Sequence, residues 1–329
     1  MKKLLALLLA VISVFTFASC QNTSKTDKSY VIGVVDGAPS LAVGNIANGY
    51  SFAGKDFTYQ TTVEIAAQPT DIIAGLTNGD LDMAIIPLNL ASKVYNESKN
   101  LNLKLATVNI FGCLYMIGNE DINSVEDLKG KVVYTVGSNG TPEIIFNYLL
   151  SQNGITYEYG DEASDNQKVF VKVADAQQIM AGFMQGTIEY AILGEPVVSK
   201  INAKTGTKVV MDLQEEWKKY NPNGKFVQAG LAVKGEVAEN TEYLNGLIEK
   251  LSENNDYLIE NVESLKALYT DVGSAALQMD FTADIITRCN VGCERASDER
   301  ENIEAFLTAV KNFKAPLVGG KLPESDFYL

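Results

Sequence analysis

The sequence predicts an α/β protein of two lobes, each a mixed sheet flanked by helices, with further helices near the C-terminal end. Three observations support this fold class. The chain has 329 residues, whereas a single core of packed layers rarely exceeds about 250–300 residues. A strand–loop–helix pattern occurs twice along the chain, and residues 236–313 show mainly helical periodicity. These features favour two related lobes and a helical addition.

The clearest internal repeat relates residues 73–87 to residues 180–194. The matched pairs, at one constant offset, are Ala74 with Ala181, Gly75 with Gly182, Gly79 with Gly186, Ala84 with Ala191, and Ile85 with Ile192. Each segment predicts a helix that ends at a glycine and is followed by a short apolar strand. Asp71 and Asp175 lie near the predicted starts of the two helices, where a carboxylate suits the helix dipole.

A second correspondence lies upstream of each repeat. Residues 31–35 lead into a loop at 36–40, and residues 132–136 lead into a loop at 137–142. Each pair predicts a strand, a glycine-containing loop and a helix that begins near a proline. We therefore predict a first lobe of residues 30–112 plus 235–329, and a second lobe of residues 113–234. A ligand cleft is expected between them, at the carboxyl ends of the strands.

The composition excludes several classes of function. Lys and Arg total 27 against 41 Asp and Glu, which gives a net charge of −14. So acidic a chain is a poor nucleic-acid binder, because affinity for the phosphate backbone needs a basic surface. The sequence contains no histidine, which excludes His-based catalytic triads and His-ligated zinc. We expect no metal and no cofactor.

The N-terminal segment is typical of an export signal. Residues 1–19 contain two lysines followed by an apolar run, the layout of a signal peptide, and the run is shorter than a membrane-spanning helix needs. Residues 17–20 resemble a bacterial lipobox, which implies lipidation of Cys20, a polar tether at 20–29, and anchoring to the outer face of the cytoplasmic membrane or a periplasmic location. An uncut anchor or simple secretion is the alternative.

Three further cysteines are Cys113, Cys289 and Cys293. The spacing of the last two differs from the C-x2-C pairs that usually bind zinc. An exported protein can form a disulfide between Cys289 and Cys293. Buried or free thiols are the alternative.

An ordered series of short motifs covers nearly the whole chain after residue 29. These motifs are residues 37–40, 79–89, 114–115, 126–133, 137–142, 194–196, 319–323 and 327–328. The series resembles the solute-binding proteins of ABC importers, in the branch of sulfonate, nitrate and taurine binders and thiamine-pyrimidine-synthase-like proteins. The Cys-rich signature of the synthase branch is absent.

This resemblance implies a two-lobed periplasmic-binding-protein-like fold of type II without catalysis. It also implies that the protein captures a small molecule and delivers it to ABC permease subunits. The expected ligand is a sulfonate, a nitrate-like anion or a thiamine-precursor-like heterocycle, and we expect a monomer. The alternatives are a pyrimidine- or menaquinone-precursor enzyme on the same fold, and a ligand sensor for a membrane receptor.

The candidate ligand contacts lie in loops that follow predicted strands. They are Gly37, Ala38, Pro39, Ser40, Leu88, Asn89, Ser138, Asn139, Gly140, Thr141 and Glu195. Helix N-termini bind anions and carbonyl or sulfonyl oxygens through open N–H groups, and hydroxyl and amide side chains add further donors. The same residue types also serve as ordinary helix caps and turn residues. Glu195 is either an acceptor for a ligand amine or amidine, or a first-turn acid favoured by the helix dipole.

The arginines are Arg288, Arg295 and Arg300, all in the C-terminal region. We expect them to lie away from the cleft loops. A bidentate clamp on a carboxylate or phosphate usually requires arginine, so this distribution disfavours ligands held in that way. A sulfonate or nitrate bound by backbone N–H groups and a neutral heterocycle stacked on an aromatic ring both stay open.

Overall fold

The computed structural model describes residues 26–221 and 224–329, and within them the chain forms two sheets flanked by helices. The strands are β1 (Thr26–Val35), β2 (Tyr50–Ala53), β3 (Phe57–Ala66), β4 (Met83–Pro87), β5 (Lys104–Ile110), β6 (Leu114–Gly118), β7 (Val132–Val136), β8 (Tyr157–Tyr159), β9 (Val169–Ala174), β10 (Tyr190–Gly194), β11 (Lys208–Asp212), β12 (Ala229–Val233) and β13 (Val291–Arg295). The helices are α1 (Ala38–Leu41), α2 (Pro69–Asn78), α3 (Leu88–Glu97), α4 (Thr141–Gln152), α5 (Ala176–Gln185), α6 (Val197–Thr205), α7 (Leu213–Tyr220), α8 (Gly235–Glu239), α9 (Thr241–Ser252), α10 (Asn254–Glu260), α11 (Leu265–Asp271), α12 (Ala283–Arg288) and α13 (Arg300–Lys314).

The first sheet has the strand order β13-β5-β12-β4-β1-β3-β2, and the second has the order β11-β6-β10-β7-β9-β8. Both are mixed, because each centres on parallel pairs and carries antiparallel strands toward an edge. We call each sheet with its covering helices a lobe. The predicted fold class, including the C-terminal helices, is confirmed.

The internal repeat corresponds to equivalent units in the two sheets. Helix α2 ends at Gly79 and α5 ends at Gly186, both in the left-handed conformation, and each helix leads into a central strand, β4 or β10. Strands β1 and β4 pair in parallel, as do β7 and β10. The Asp175 carboxylate caps α5 by accepting from the backbone N–H of Gln178, as its position near the helix start suggested.

The chain crosses between the sheets twice, at residues 111–113 and at residues 224–228. The second crossing ends earlier than the sequence indicated, because residues 229–233, expected in the second lobe, form β12 of the first sheet. This strand is buried along its whole length and pairs with both β4 and β5. We therefore propose limits of 113–228 for the second lobe.

The N-terminal strand begins within the segment that was predicted to be a polar tether. Strand β1 starts at Thr26, so residues 26–29, predicted as part of a polar tether, pair in parallel with residues 57–60 of β3. The predicted signal peptide, residues 1–19, and the predicted lipidation site, Cys20, lie outside the described residues. No helix in the described part of the chain is long and apolar enough to cross a membrane.

Helices cover both faces of the first sheet. Helices α9 to α12 pack on one face, where Leu247 and Leu265 meet Ile32 and Met83 in a single buried cluster. Helices α2, α3 and α13 cover the other face. Helix α13 also contacts α4 of the second lobe, so the C-terminal helices hold the first lobe together and reach across to its neighbour.

Candidate functional site

A cavity of about 220 Å³ lies between the two lobes, where strands β1, β7 and β10 end. Asp36, Gly37 and Ala38 line it from the first lobe, and Cys113 and Gln228 line it from the two crossings. The main lining residues of the second lobe are Val136, Pro142, Ala176, Leu193, Glu195 and Val197. The predicted position of the cleft, at the carboxyl ends of the strands, matches this cavity.

Four helices begin at the cavity wall. Ala38, Ala176 and Val197 are the first residues of α1, α5 and α6, and Pro142 is the second residue of α4. The starts of α1 and α4 were predicted to face the ligand, whereas Asp175 marked the start of α5 without placing it at the cleft. The repeat contained the necessary signal, since it marks the helices and strands of both halves.

Only two of the four predicted ligand contacts in the loop after β1 line the cavity. Gly37 and Ala38 line the cavity, and Gly37 has a positive φ of 122°. Pro39 is not in the described lining, and Ser40 is fully buried and donates its hydroxyl to the carbonyl of Val35 at 3.1 Å. We therefore correct the assignment of Ser40 as a ligand contact, because its hydroxyl is used to join α1 to β1.

Asp36 fixes the same loop to a distant part of the chain. Its carboxylate accepts hydrogen bonds from the Ser274 hydroxyl at 2.5 Å and from the backbone N–H groups of Ala275 and Ala276 at 2.8 and 2.9 Å. Asp36 also lines the cavity. No local pattern in the sequence marks Asp36 as a contact, because its partners are more than 200 positions away.

The predicted loop after β7 is mostly turned away from the cavity. Ser138 is exposed, and Asn139 adopts a left-handed backbone with φ of 55°. The Asn139 side-chain oxygen accepts a hydrogen bond from Lys314 of α13 at 3.0 Å. Of the described residues, Ser138, Asn139, Gly140 and Thr141 lie outside the cavity lining. Thr141 is the buried first residue of α4, and within residues 137–142 only Pro142 lines the cavity. A ligand contact at the four predicted residues of this loop stays a prediction that this cavity does not support.

Leu88 and Asn89 are also structural. Helix α3 starts immediately after β4, so that both side chains are buried in its first turn. The N–H of Leu88 donates to the carbonyl of Gln228 at 3.0 Å. Neither residue is in the described cavity lining, because the β4–α3 junction has no loop that could present them.

Glu195 does lie at the cavity, with its side chain fully buried. Its carboxylate accepts from the N–H and hydroxyl of Ser199 at 3.0 and 2.9 Å, and from Nε of Arg288 at 2.7 Å. A terminal nitrogen of Arg288 also donates to the Ser199 hydroxyl oxygen at 2.8 Å. Glu195 lies two residues before α6, so it is not an acid of the first turn, although its carboxylate caps the N–H of Ser199. Its role as an acceptor for a ligand amine or amidine stays a prediction.

Arg288 lies beside the cavity, contrary to the prediction from the sequence. It was expected away from the cleft loops, yet α12 ends at Arg288 and brings the guanidinium to Glu195. The carbonyl of Arg288 accepts a hydrogen bond from the Tyr115 hydroxyl at 3.0 Å. Burial works against the charged guanidinium, but Glu195 outweighs it, and the pKa of Arg288 is raised. The two lobes are therefore joined by an ion pair beside the cavity.

Cys113 lies in the first crossing and is fully buried at the cavity wall. Its N–H donates to the side-chain oxygen of Gln228, in the second crossing, at 3.3 Å. Burial, with a smaller contribution from Glu195, raises the pKa of the Cys113 thiol to about 12. The thiol is therefore neutral, and a neutral thiol is a weak nucleophile.

Cys289 and Cys293 are free thiols, so the disulfide considered from the sequence is not formed. Cys289 follows α12 and is buried in the core of the first lobe. Cys293 lies on β13, where its sulfur is 3.8 Å from the carbonyl oxygen of Ile248. Both side chains pack in the same apolar cluster of the first lobe, Cys289 within it and Cys293 at its edge.

The comparisons with known proteins agree with this architecture. The model of the family described as NMT1/THI5 like matches residues 61–263, which is more than half of the chain. The chain belongs to the NMT1/THI5-like family. The family resemblance inferred from the sequence is thereby confirmed. No curated protein matches the chain.

Solved structures share the fold of this NMT1/THI5-like protein. An ABC transporter protein from Parabacteroides distasonis has a TM-score of 0.74 at 20% identity, covering 92% of this chain and 98% of that one. The periplasmic aliphatic sulphonate binding protein SsuA from Escherichia coli has a TM-score of 0.62 at 14% identity, with coverages of 91% and 96%. The ligand-binding component of an ABC-type import system from Staphylococcus aureus has a TM-score of 0.59 at 13% identity, with coverages of 91% and 98%.

The NMT1/THI5-like chain has a second, larger groove of about 680 Å³ between the β13 edge of the first sheet and the β11 edge of the second. Its cationic groups already have partners: Lys218 binds Glu215, Lys225 binds Glu299, and Arg288 binds Glu195. Residues of both crossings line this groove too. The smaller cavity is the better candidate, because four helices begin at its wall, whereas only α7 begins at the described wall of the groove.

Proposed function

We propose that this NMT1/THI5-like protein is the extracytoplasmic solute-binding component of an ABC importer. One observation carries the proposal: a small cavity between the two lobes is lined by residues at the starts of four helices, together with residues of both crossings. The fold shared with structures described as an ABC transporter, an import-system component and a sulphonate-binding protein supports it. Export, a lipid anchor at Cys20, a monomeric state and permease partners belong to the same proposal.

The protein can capture a ligand because each lobe supplies part of the cavity wall. The first lobe offers residues 36–38, and the second offers the starts of α4, α5 and α6. Each hydrogen bond to a ligand contributes about 0.5–1.5 kcal/mol net, so contacts from one lobe alone give weak binding. Closure adds the second set, and the ligand favours the closed state because it contacts both lobes only there. The permease would then recognise the closed form.

The proposal includes binding without catalysis. Cys113, the thiol at the cavity wall, has a pKa raised to about 12 by burial, so it is not an activated nucleophile. The Glu195 carboxylate is paired with Arg288, and the sequence has no histidine to act as a general base. The cavity therefore offers recognition groups and no activated reactive group.

A blocking variant tests the site. Ala176→Phe would fill the cavity from the start of α5, whereas Gln177→Phe adds the same ring at the next, exposed position. Sulfonates, nitrate and aminopyrimidines would be screened by thermal shift, because a ligand of the folded state raises its apparent stability. We expect a compound that stabilises wild type and Gln177→Phe but not Ala176→Phe. Small-angle scattering should show compaction by that compound. A stabilising compound that binds all three proteins equally, without compaction, would contradict the proposal.

A further inference from the structure

The helix starts around the cavity already carry carboxylates of the protein itself. Asp175 accepts from the N–H of Gln178 in the first turn of α5 at 2.7 Å, and Glu195 accepts from the N–H of Ser199 in α6 at 3.0 Å. Glu143, in the first turn of α4, is also acidic. Helix N-termini attract anions through unpaired N–H groups and the helix dipole. Here these carboxylates already supply the negative charge.

The charged side chains that line the cavity also make it unfavourable for an anion. The described lining contains two carboxylates, those of Asp36 and Glu195, and neither lysine nor arginine. Arg288 offsets Glu195 from outside the lining. Asp36 is held by one hydroxyl and two backbone N–H groups, which carry no formal charge. A ligand in the cavity therefore meets a net negative charge, and an anion would be repelled.

The apolar part of the cavity wall and the cavity volume limit the size and shape of the ligand. Ala38, Leu114, Val136, Leu193 and Val197 make most of it apolar. The volume of about 220 Å³ corresponds to about seven water molecules at roughly 30 Å³ each. A compact, flat molecule with one polar end fits such a space, since apolar walls favour a ring and the carboxylates accept N–H donors.

We propose that the cavity binds a small uncharged or cationic compound that bears N–H donors, and that it rejects sulfonates, nitrate and other anions. This inference rests on the proposed function, because it names the ligand class of the same cavity. Asp36 is the residue that determines specificity: its carboxylate accepts from the ligand N–H and repels a negatively charged competitor.

Three probes share a phenyl ring and carry a cationic, a neutral and an anionic group: benzamidine, benzamide and benzenesulfonate. The change in their affinity ratio on substitution of Asp36 isolates the effect of charge. Calorimetric titration of the wild-type protein should give the order benzamidine, then benzamide, with benzenesulfonate at least tenfold weaker than benzamidine. Asp36→Asn keeps the size of the side chain and removes its charge, so the ratio of benzamidine to benzenesulfonate affinity should fall at least tenfold. Asp71→Asn, on α2 outside the cavity lining, is the matched control and should leave the ratio unchanged.

A second variant keeps the test decisive if Asp36→Asn fails to fold. Gln228→Lys adds a cation at the base of the cavity and should produce measurable binding of benzenesulfonate. Tighter binding of benzenesulfonate than of benzamide by the wild-type protein would overturn the inference. Absence of binding by both benzamide and benzamidine at millimolar concentration would overturn it as well. The proposed function fails separately, if a cavity-bound probe of any charge leaves the scattering profile of the protein unchanged.

Discussion

Arg288 and Glu195 connect the two lobes, with Nε of Arg288 at 2.7 Å from Oε1 of Glu195. Arg288 ends α12 of the first lobe, and Glu195 precedes α6 of the second. The Glu195 side chain is fully buried, whereas that of Arg288 is 38% exposed. The carboxylate therefore depends on this partner far more than the guanidinium does.

Removal of Arg288 should destabilise the protein. Arg288→Ala leaves the buried Glu195 carboxylate without its cation, and loss of one partner of a buried pair costs about 3–5 kcal/mol. Because water can reach the partly exposed Arg288 site, we expect about 1–3 kcal/mol, measured by urea unfolding. Arg300→Ala removes a surface arginine that pairs with Glu304 within α13 and lies over the Tyr328 ring, and it should cost no more than about 1 kcal/mol. Equal unfolding curves for the two variants would contradict a stabilising role for the pair.

Asn139 should tolerate glycine better than alanine. Its φ of 55° is a left-handed backbone that costs an alanine roughly 1–2 kcal/mol but costs glycine and asparagine little. Asn139→Ala should therefore lower the free energy of unfolding by about 1 kcal/mol relative to Asn139→Gly. Thermal and urea unfolding measure the difference, and Ser138→Ala, on the exposed neighbour, is the control. If alanine and glycine behave alike, the left-handed turn at Asn139 is wrong.

Local features of this fold could be predicted from the sequence. The repeat located the glycines that end α2 and α5, because helix termination depends on a few neighbouring residues. The apolar runs located the central strands of both sheets. The cavity position also followed, since the carboxyl ends of strands such as β1 and β10 must meet where two such lobes face each other.

Long-range contacts could not be predicted in the same way. Even the local bond from Ser40 to Val35, five positions away, could not be chosen from the sequence, because a short polar residue near a helix start fits a ligand contact equally well. Arg288 lies 93 positions from Glu195, and no local pattern relates them. Asp36 similarly depends on residues 274–276. A single sequence carries no signal for such pairs.

The thiols provide a test that depends on pH. Burial raises the pKa of Cys113 to about 12 and that of Cys289 well above its usual value, while Cys293 rises to about 11. At pH 8 the native protein should react with N-ethylmaleimide slowly, at Cys293 first because it is only partly buried, and all three should react rapidly in urea. Mass spectrometry of the labelled peptides measures the order. A peptide with Cys289 linked to Cys293 would contradict the free thiols.

The same pKa shifts predict the direction in which the free energy of unfolding changes with pH. The folded state keeps these thiols neutral, whereas the unfolded chain ionises them near pH 8.5. Their contribution is therefore fully present below about pH 8.5 and is lost as the pH rises toward the folded values. Urea unfolding at pH 7.5 and pH 9.5 should show lower stability at the higher pH. A variant with Cys113 and Cys289 replaced by alanine should show a smaller decrease over the same interval.

Gly37 should be more sensitive to substitution by asparagine than Gly154, a second glycine with positive φ. Its φ of 122° and ψ of −143° fall close to a region that almost only glycine occupies, where another residue costs about 1–3 kcal/mol. Gly154 has φ of 66°, in the left-handed region, and at both positions an added Cβ meets no atom within 4 Å. Any difference in stability between substitutions at Gly37 and Gly154 therefore reports backbone strain and not a steric clash. At Gly154, the asparagine variant should be clearly more stable than the alanine variant, because asparagine tolerates the left-handed region. At Gly37, the asparagine and alanine variants should be equally destabilised. Urea unfolding of the four variants measures this difference, and equal rescue at both positions would show that the loop at the cavity has an ordinary left-handed turn.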